Sequence, residues 1–316
     1  MTERPLRERA GAEQSEAGGS GSPLSTPADE PPTWRALLAQ AERALAGAGC
    51  QSPAVDARRL VERASGLDGA ELVLGLDERA SRRATAHLAE MVERRCSGDP
   101  LQYVVGRWGF RRLDLLVDRR VLIPRPETEQ VVEVALGELH RLAAGRPSTV
   151  VDLGTGSGAI ALSVAVEVPT THVWGVDASP AALAVARANL AGIGRPGARV
   201  RLASGDWFSA LPVELAGRID LVVANPPYVA EGDELAPEVA DWEPVEALLA
   251  GPTGTEHLER IVSDAPAWLA PYGTLVLEAA PSQVDTVAGM SRHAGFEEVE
   301  VRPDLCGRPR VVVARL

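Results

Sequence analysis

Asn225-Pro226-Pro227-Tyr228 follows the apolar run Ile219-Asp220-Leu221-Val222-Val223-Ala224, and its residue types suit the holding of N–H groups in a fixed direction. Each proline lacks an N–H and has φ fixed, so a strand ends there and no ordinary helical turn begins. Asn225, preceding a proline, is pushed toward extended backbone. The chain therefore leaves a sheet as a stiff loop, with a side-chain amide and two carbonyls free to accept hydrogen bonds. Acceptors in that place suit a substrate that offers N–H groups. Read alone, the tetrapeptide is equally well explained as a proline-rich turn with a capping Asn.

A second strand and loop lie upstream, from Val150-Val151-Asp152-Leu153 through Gly154-Thr155-Gly156-Ser157-Gly158 into a helical pattern at Ile160, Leu162, Val164 and Val166. Glycines there let the backbone turn tightly and let a ligand approach the main chain. Gly154, Gly156 and Ala159 also fit a loose dinucleotide pattern, a weak signal by itself. Asp152 and the extra Gly158 separate the two readings. Asp-x-Gly-x-Gly-x-Gly resembles the S-adenosylmethionine loop of class I methyltransferases more than a nicotinamide fingerprint. On that likeness Asp152, Gly154, Thr155, Gly156, Ser157 and Gly158 are candidate cofactor residues. The next strand, His172 to Val176, ends in Asp177, whose carboxylate can take both hydroxyls of a ribose. A helix N-cap or first-turn acid before Ser179-Pro180 is a compatible role. Arg199 to Ala203 reads as a third strand leading into Gly205-Asp206-Trp207-Phe208. Asp206 can accept from an adenine amine and Trp207 can cover its ring, although such aromatics are more often simply core. All these candidates sit where strands end, the place where open α/β sheets bind ligands.

The elements that carry them alternate strand with helix, which predicts a mostly parallel sheet covered on both faces. Thr274 to Glu278 is expected as the fifth strand, and Gly295-Phe296 to Val301 with Arg310 to Ala314 as an antiparallel hairpin at one edge. Ahead of the sheet the periodicity is helical. Thr33 caps a helix with the apolar face Trp34, Leu37, Leu38, Ala41 and Leu45; Ser52-Pro53 opens a second through Val55, Leu60, Val61 and Ala64. A short helix around Glu71 to Leu74 and a longer one from Ser81 to Cys96 complete a small bundle. Alternation of Leu101, Tyr103 and Val105, and of Leu113, Leu115 and Val117, predicts a hairpin connecting the two parts. The expected organisation is a disordered tail over 1–32, a helical domain over 33–100, a hairpin connector over 101–120 and the α/β domain over 121–316.

Composition narrows the function. A net charge of −12 across 316 residues weighs against nucleic acid as the direct substrate, since phosphate contacts need clustered basic groups. The chain contains no lysine, which removes Schiff-base and P-loop lysine chemistry. Cys50, Cys96 and Cys306 are widely spaced and pair with no nearby His, arguing against a metal site and for a reducing cytoplasm. No unbroken apolar run reaches the roughly 18 residues of a membrane span.

Taken together, the glycine loop, Asp206-Trp207-Phe208, Asn225-Pro226-Pro227-Tyr228 and Ile123-Pro124-Arg125-Pro126-Glu127-Thr128-Glu129 resemble the release factor glutamine methyltransferases. The resemblance spans about Thr33 to Leu316. The Asn-Pro-Pro-Tyr tetrapeptide is shared with adenine and rRNA methyltransferases and speaks to chemistry; the Ile-Pro-Arg-Pro-Glu-Thr-Glu segment behind a helical domain is far more specific. It implies a class I, Rossmann-like methyltransferase fold plus a small N-terminal helical domain. The implied activity uses S-adenosylmethionine, released as S-adenosylhomocysteine, to methylate the glutamine side-chain amide in the Gly-Gly-Gln loop of class I peptide chain release factors. In that reading the Asn225 side-chain oxygen and the Pro226 carbonyl accept the two amide protons. Asn225 also borders the cofactor, Pro227 and Tyr228 pack on the amide, and Phe110 walls the pocket. The alternatives are the same chemistry on a ribosomal-protein glutamine or on an exocyclic amine of adenine or guanine, a nicotinamide oxidoreductase, and a non-catalytic binding module. Two places depart from the family pattern: Ala250-Gly251-Pro252-Thr253-Gly254 stands where Gly-Gly-x-Asp-Gly is usual, and Ala279 follows Glu278 where a glycine is common.

Overall fold

A computed structural model describes residues 30–143 and 146–316, so the expected tail lies outside the described residues as far as residue 29. The last residues of that stretch are tied down, with Arg79 donating to the Pro31 carbonyl at 2.7 Å and Ala80 N–H to the Pro32 carbonyl at 2.9 Å.

Helices α1 (Trp34–Gly47), α2 (Pro53–Ser65), α3 (Gly69–Gly75) and α4 (Arg82–Cys96) form the first unit. Thr33 and Ser81 cap as expected, accepting from Ala36 N and Ala84 N. Ser52 does not: its side chain makes no cap bond, and Pro53 alone starts α2. Trp34, Leu37, Ala41 and Leu45 of α1 meet Ala57, Leu60 and Val61 of α2 and Leu88 and Met91 of α4 in one core. Val55 is exposed and Ala57 takes the inward place, because the buried face of α2 follows Ala57, Leu60 and Val61. Arg95 of α4 donates to Asp56 of α2 at 2.8 Å, a buried pair inside this bundle.

The connector differs from its expected form. Leu101–Val105 is a short helix, α5, and the hairpin lies beyond it as β1 (Arg107–Phe110) and β2 (Leu113–Leu116). Pro100 caps α5, accepting from Tyr103 N and Val104 N, and Gly106 closes it in the left-handed conformation. Five residues are too few for alternation to be told from helical spacing, and the flanking Pro and Gly decide. Arg111, at the hairpin turn with φ of 51°, latches it to the following helices, donating to Glu129 O at 3.0 Å and Glu167 Oε1 at 2.7 Å.

Next come α6 (Pro126–Ala143), β3 (Ser148–Leu153), α7 (Ala159–Glu167), β4 (Thr171–Asp177), α8 (Pro180–Gly192), β5 (Val200–Ser204) and β6 (Ile219–Ala224). The short elements β7 (Val229–Ala230), α9 (Pro237–Ala240) and β8 (Leu249–Gly251) follow, then α10 (Glu256–Trp268), β9 (Leu269–Glu278), α11 (Val284–His293), β10 (Glu298–Pro303) and β11 (Pro309–Arg315). Seven strands make one sheet in the order β10-β11-β9-β6-β3-β4-β5, with β11 antiparallel to both its neighbours, β10 and β9, and every other pair parallel. The C-terminal hairpin is thus at the edge, as expected. Strand β9 begins at Leu269 rather than Thr274, bending past Tyr272, which has φ of 65°.

Register explains why the candidate residues converge. Leu153 pairs with Val176 on one side and Ala224 on the other, and Ala224 pairs with Leu277. The next residue from each strand, namely Gly154, Asp177, Asn225 and Glu278, therefore emerges at one level of the sheet. Chain direction reverses its stepping at β3, which makes this edge the topological switch point.

Candidate active site

A cleft of about 700 Å³ opens at that edge, lined among others by Gly154, Gly156, Asp177, Asp206, Trp207, Asn225 and Pro227. The glycine loop reaches it through backbone alone. Gly154 and Gly156 have φ of 74° and 55°, a backbone conformation that side-chain-bearing residues rarely adopt, and Gly154 lies against the Trp207 ring. Thr155, Ser157 and Gly158 are buried and do not line the cleft.

Asp152 lies beneath the loop with no exposure. Its Oδ2 accepts from Thr155 Oγ1 at 2.6 Å and Ala161 N at 3.1 Å, and its Oδ1 has no partner. Burial pushes its carboxyl up to about 7, against the pull of those two bonds. Asp177 holds the loop from the other side. Its Oδ2 accepts from Gly156 N and its Oδ1 from Ser179 N, both at 2.8 Å, and burial raises its carboxyl above the usual range. Ser179, not Asp177, caps α8.

Asp206 and Trp207 separate in character. Asp206 is exposed and pairs with Arg260 at 2.5 Å. Trp207 is buried with φ of 48°, its indole N–H unpartnered and its ring tilted against His257 at 5.2 Å. Phe208 turns away and stacks on Trp268 in the core.

Asn225 is half-buried at the end of β6, and Nδ2 of its amide donates to Thr128 Oγ1 at 3.1 Å. Thr128 in turn donates to Glu278 Oε2 at 2.8 Å, and the Tyr228 hydroxyl reaches Glu278 Oε1 at 3.4 Å. Burial raises the Glu278 carboxyl, and it pushes the Tyr228 phenol up to about 12, so Tyr228 stays protonated near neutral pH. Pro226 is buried and Pro227 half-buried. The loop is clipped from behind by Gln283, whose Nε2 donates to Tyr228 O at 2.9 Å and Gly254 O at 3.1 Å.

Pro226 and Tyr228 do not line this cleft, Tyr228 packing against the core behind it, and one expected wall residue is farther off. Phe110 is fully buried at the end of β1, in the cluster with Val131, Leu136 and Leu162, and does not line the cleft. Strand β1 turns that ring inward, against the helices that Arg111 latches. The rim opposite the glycine loop is formed instead by Arg119, Arg120, Val121 and Leu122 together with Pro244, Glu246 and Ala247. Buried Glu243 joins these segments, accepting from Ile123 N at 3.0 Å and pairing with Arg125.

The signature segment thus acts as a hub. Arg125 holds Glu243, Glu127 holds Arg308 at 3.1 Å, Thr128 joins Asn225 to Glu278, and Glu129 accepts from Arg111 N at 2.8 Å. Sequence reasoning found the segment by resemblance but not Thr128, Glu243 or Glu278 as site supports. Among the described residues no group of His, Cys, Asp or Glu is placed to hold a metal ion, and no helix is long and apolar enough to cross a membrane.

Residues 36–106 match the PrmC N-terminal domain family and residues 136–241 the methyltransferase small domain family. The chain is similar to a release factor glutamine methyltransferase of Cereibacter sphaeroides, 43% identical over 86% of this chain and 94% of the relative. It is also similar to one of Deinococcus radiodurans, 40% identical over 89% of this chain and 98% of that relative. A crystal structure of a methyltransferase from Pyrococcus furiosus is 17% identical with a TM-score of 0.46, covering 64% of this chain and 88% of that one.

Proposed function

Because the chain belongs to the release factor glutamine methyltransferase family, we propose that it methylates the side-chain amide of the glutamine in the Gly-Gly-Gln motif of class I peptide chain release factors, with S-adenosylmethionine as donor. The observation that carries this reading is the shared cleft. Asn225, an amide able to address another amide, borders the same space as Asp177 and the bare backbone of Gly154 and Gly156.

The residues fit the donor. Asp177 presents a carboxylate where a ribose would lie, with lone pairs left over from Gly156 and Ser179. Trp207 offers apolar surface beside Gly154, and Asp206 at the rim offers an acceptor to an adenine amine. Bound there, the donor supplies a methyl group on a positively charged sulfur. Asp152, Thr155, Ser157 and Gly158 shape the loop from below rather than touching the ligand.

The difficulty is that an amide nitrogen shares its lone pair with its carbonyl. Two acceptors on its protons, the Asn225 oxygen and the Pro226 carbonyl, fix its direction and favour the positive charge that builds as nitrogen attacks carbon. The methylated nitrogen then loses a proton, so no strong base is needed beforehand. Tyr228, kept protonated, packs on the amide and excludes water.

The test is incubation of the full chain with methyl-labelled donor and a release factor, followed by peptide mass spectrometry. The label is expected on the Gly-Gly-Gln glutamine, and Asn225→Ala is expected to lower turnover by roughly 10²–10³, the scale of losing one preorganised partner. Calorimetric donor affinity should change far less. Label confined to another residue type, or to nucleic acid, would replace this reading.

A further inference from the structure

We propose that Thr128 and Glu278 are positioning residues that set which way round the Asn225 amide faces the cleft, an inference that rests on the role given to Asn225 above. A carboxamide has nearly the same shape either way round, but one end accepts and the other donates. Reversed, Asn225 would turn N–H groups toward a substrate nitrogen that itself carries N–H groups.

The geometry removes that freedom. A threonine hydroxyl has one proton to give. With Glu278 ionised, the state that the Thr128 and Tyr228 hydroxyls and the Arg310 charge favour against its burial, that proton goes to Oε2 at 2.8 Å, because a carboxylate accepts only. Toward Asn225, Thr128 is then left with lone pairs alone, and it receives Nδ2 at 3.1 Å. Oδ1 occupies the other corner of the planar amide, the corner available to the cleft. The Tyr228 hydroxyl, directed at Glu278 Oε1 at 3.4 Å, is a second donor to the same carboxyl. Thr128 and Glu278 are both buried, so water does not offer a competing proton or lone pair. The order of the chain is therefore fixed from the inside outward: carboxylate, hydroxyl, amide, ligand.

Placement supports the assignment. Glu278 ends β9 at the same level of the sheet as Asn225 ends β6, since Ala224 pairs with Leu277. Thr128 enters from the first turn of α6, outside the sheet, and its position is set by the Arg125, Glu127 and Glu129 bonds on either side of it.

The experiment uses the full chain with a release factor and labelled donor, and compares Thr128→Val, Thr128→Ser, Glu278→Gln, Asn225→Ala and the Thr128→Val/Asn225→Ala pair. Thr128→Val is expected to lower kcat by about 10- to 100-fold, the range for a misplaced reacting partner, while KM and calorimetric donor affinity hold. Thr128→Ser should recover most of the loss, since it restores the hydroxyl. Glu278→Gln should fall at least as far as Thr128→Val, because a glutamine can donate to Thr128 and turn Asn225 round. In the Asn225→Ala background Thr128→Val should cost nothing further, as expected for residues acting as a unit. A purely structural Thr128 would instead multiply its loss with that of Asn225→Ala, and that result, or wild-type kcat in Thr128→Val, overturns the proposal. If Thr128→Val does not fold, Glu278→Gln and Thr128→Ser carry the same comparison. Normal turnover in Asn225→Ala would sink the role of Asn225 and this inference together; impaired Asn225→Ala beside normal Thr128→Val sinks this inference alone.

Discussion

Asp152 never meets the cleft, yet it holds the loop that does, through Thr155 Oγ1 and the N–H of Ala161. One of its oxygens is buried without a partner, and its carboxyl is pushed up to about 7 from an ordinary 3.8. Between those two values the folded protein keeps a proton that the unfolded chain has released. The contribution of Asp152 to folded stability is therefore greatest below the lower value and falls as pH rises toward the upper one. Asp152→Asn, neutral throughout, is expected to flatten that decline in ligand-free urea unfolding followed from about pH 4.5 to 7.5. A wild-type slope in the variant would mean that other raised acids, Asp177 and Glu278 among them, carry the whole effect. At this scale the sequence was informative where chemistry is local: Asp177, Gly154, Gly156 and Asn225 all follow directly from a strand-end pattern. Thr128 and Glu278 were not legible as partners because they are 150 positions apart, and only the sheet order and the entry of α6 bring them together.

The loop after β8 illustrates how an element supports the site from behind. Gly254 has φ of 78°, and a Cβ there would lie 2.8 Å from Tyr228 O, 2.9 Å from Gln283 Nε2 and 3.0 Å from Ala230 N. The departure from the family pattern in this loop therefore keeps a glycine where the tetrapeptide backbone passes closest. Gly254→Ala is expected to cost about 1–3 kcal/mol from its backbone conformation alone, and to lower turnover by shifting Tyr228. Urea unfolding and a kcat measurement check it; an alanine variant with wild-type values in both would show that the loop gives way freely. Element type was harder to read where segments are short. Pro100 and Gly106 turned the alternating Leu101, Tyr103 and Val105 into α5 and moved the hairpin strand to Arg107–Phe110. The same displacement accounts for Phe110: as the last residue of a short strand, its side depends on a register that alternation alone did not fix.

Across the molecule, the core of the helical unit and the two clusters of the α/β domain are joined by ion pairs at the connector. Asp99, between α4 and α5, takes Arg94 and Arg119 at 2.8 Å each, and Arg119, which lines the cleft, lies 3.9 Å over the Trp242 ring. Within the helical unit the buried Arg95–Asp56 pair is the exposed weakness of an otherwise apolar core. Arg95→Met leaves a buried carboxylate unpaired and is expected to cost about 3–5 kcal/mol. Amide exchange should rise in α1, α2 and α4 while β3, β6 and β9 stay protected; equal loss in the sheet would mean that the helical unit and the α/β domain unfold as one. The parallel sheet, its antiparallel edge hairpin and the helical bundle were readable from periodicity and length, since long regular segments leave few alternatives. The seam was not, being made by single side chains on connectors.

Support for the tetrapeptide reaches it from Thr128, ahead of the first strand of the sheet, and from Glu278, beyond the fourth crossover. A minimal transplantable catalytic piece therefore cannot begin at Ser148, where the sheet begins. Such a fragment would carry the glycine loop, Asp177 and Asn225 intact and still lack the hydroxyl that tells the amide which end to present. Any graft of this chemistry onto another scaffold has to bring α6 and its entry segment with it.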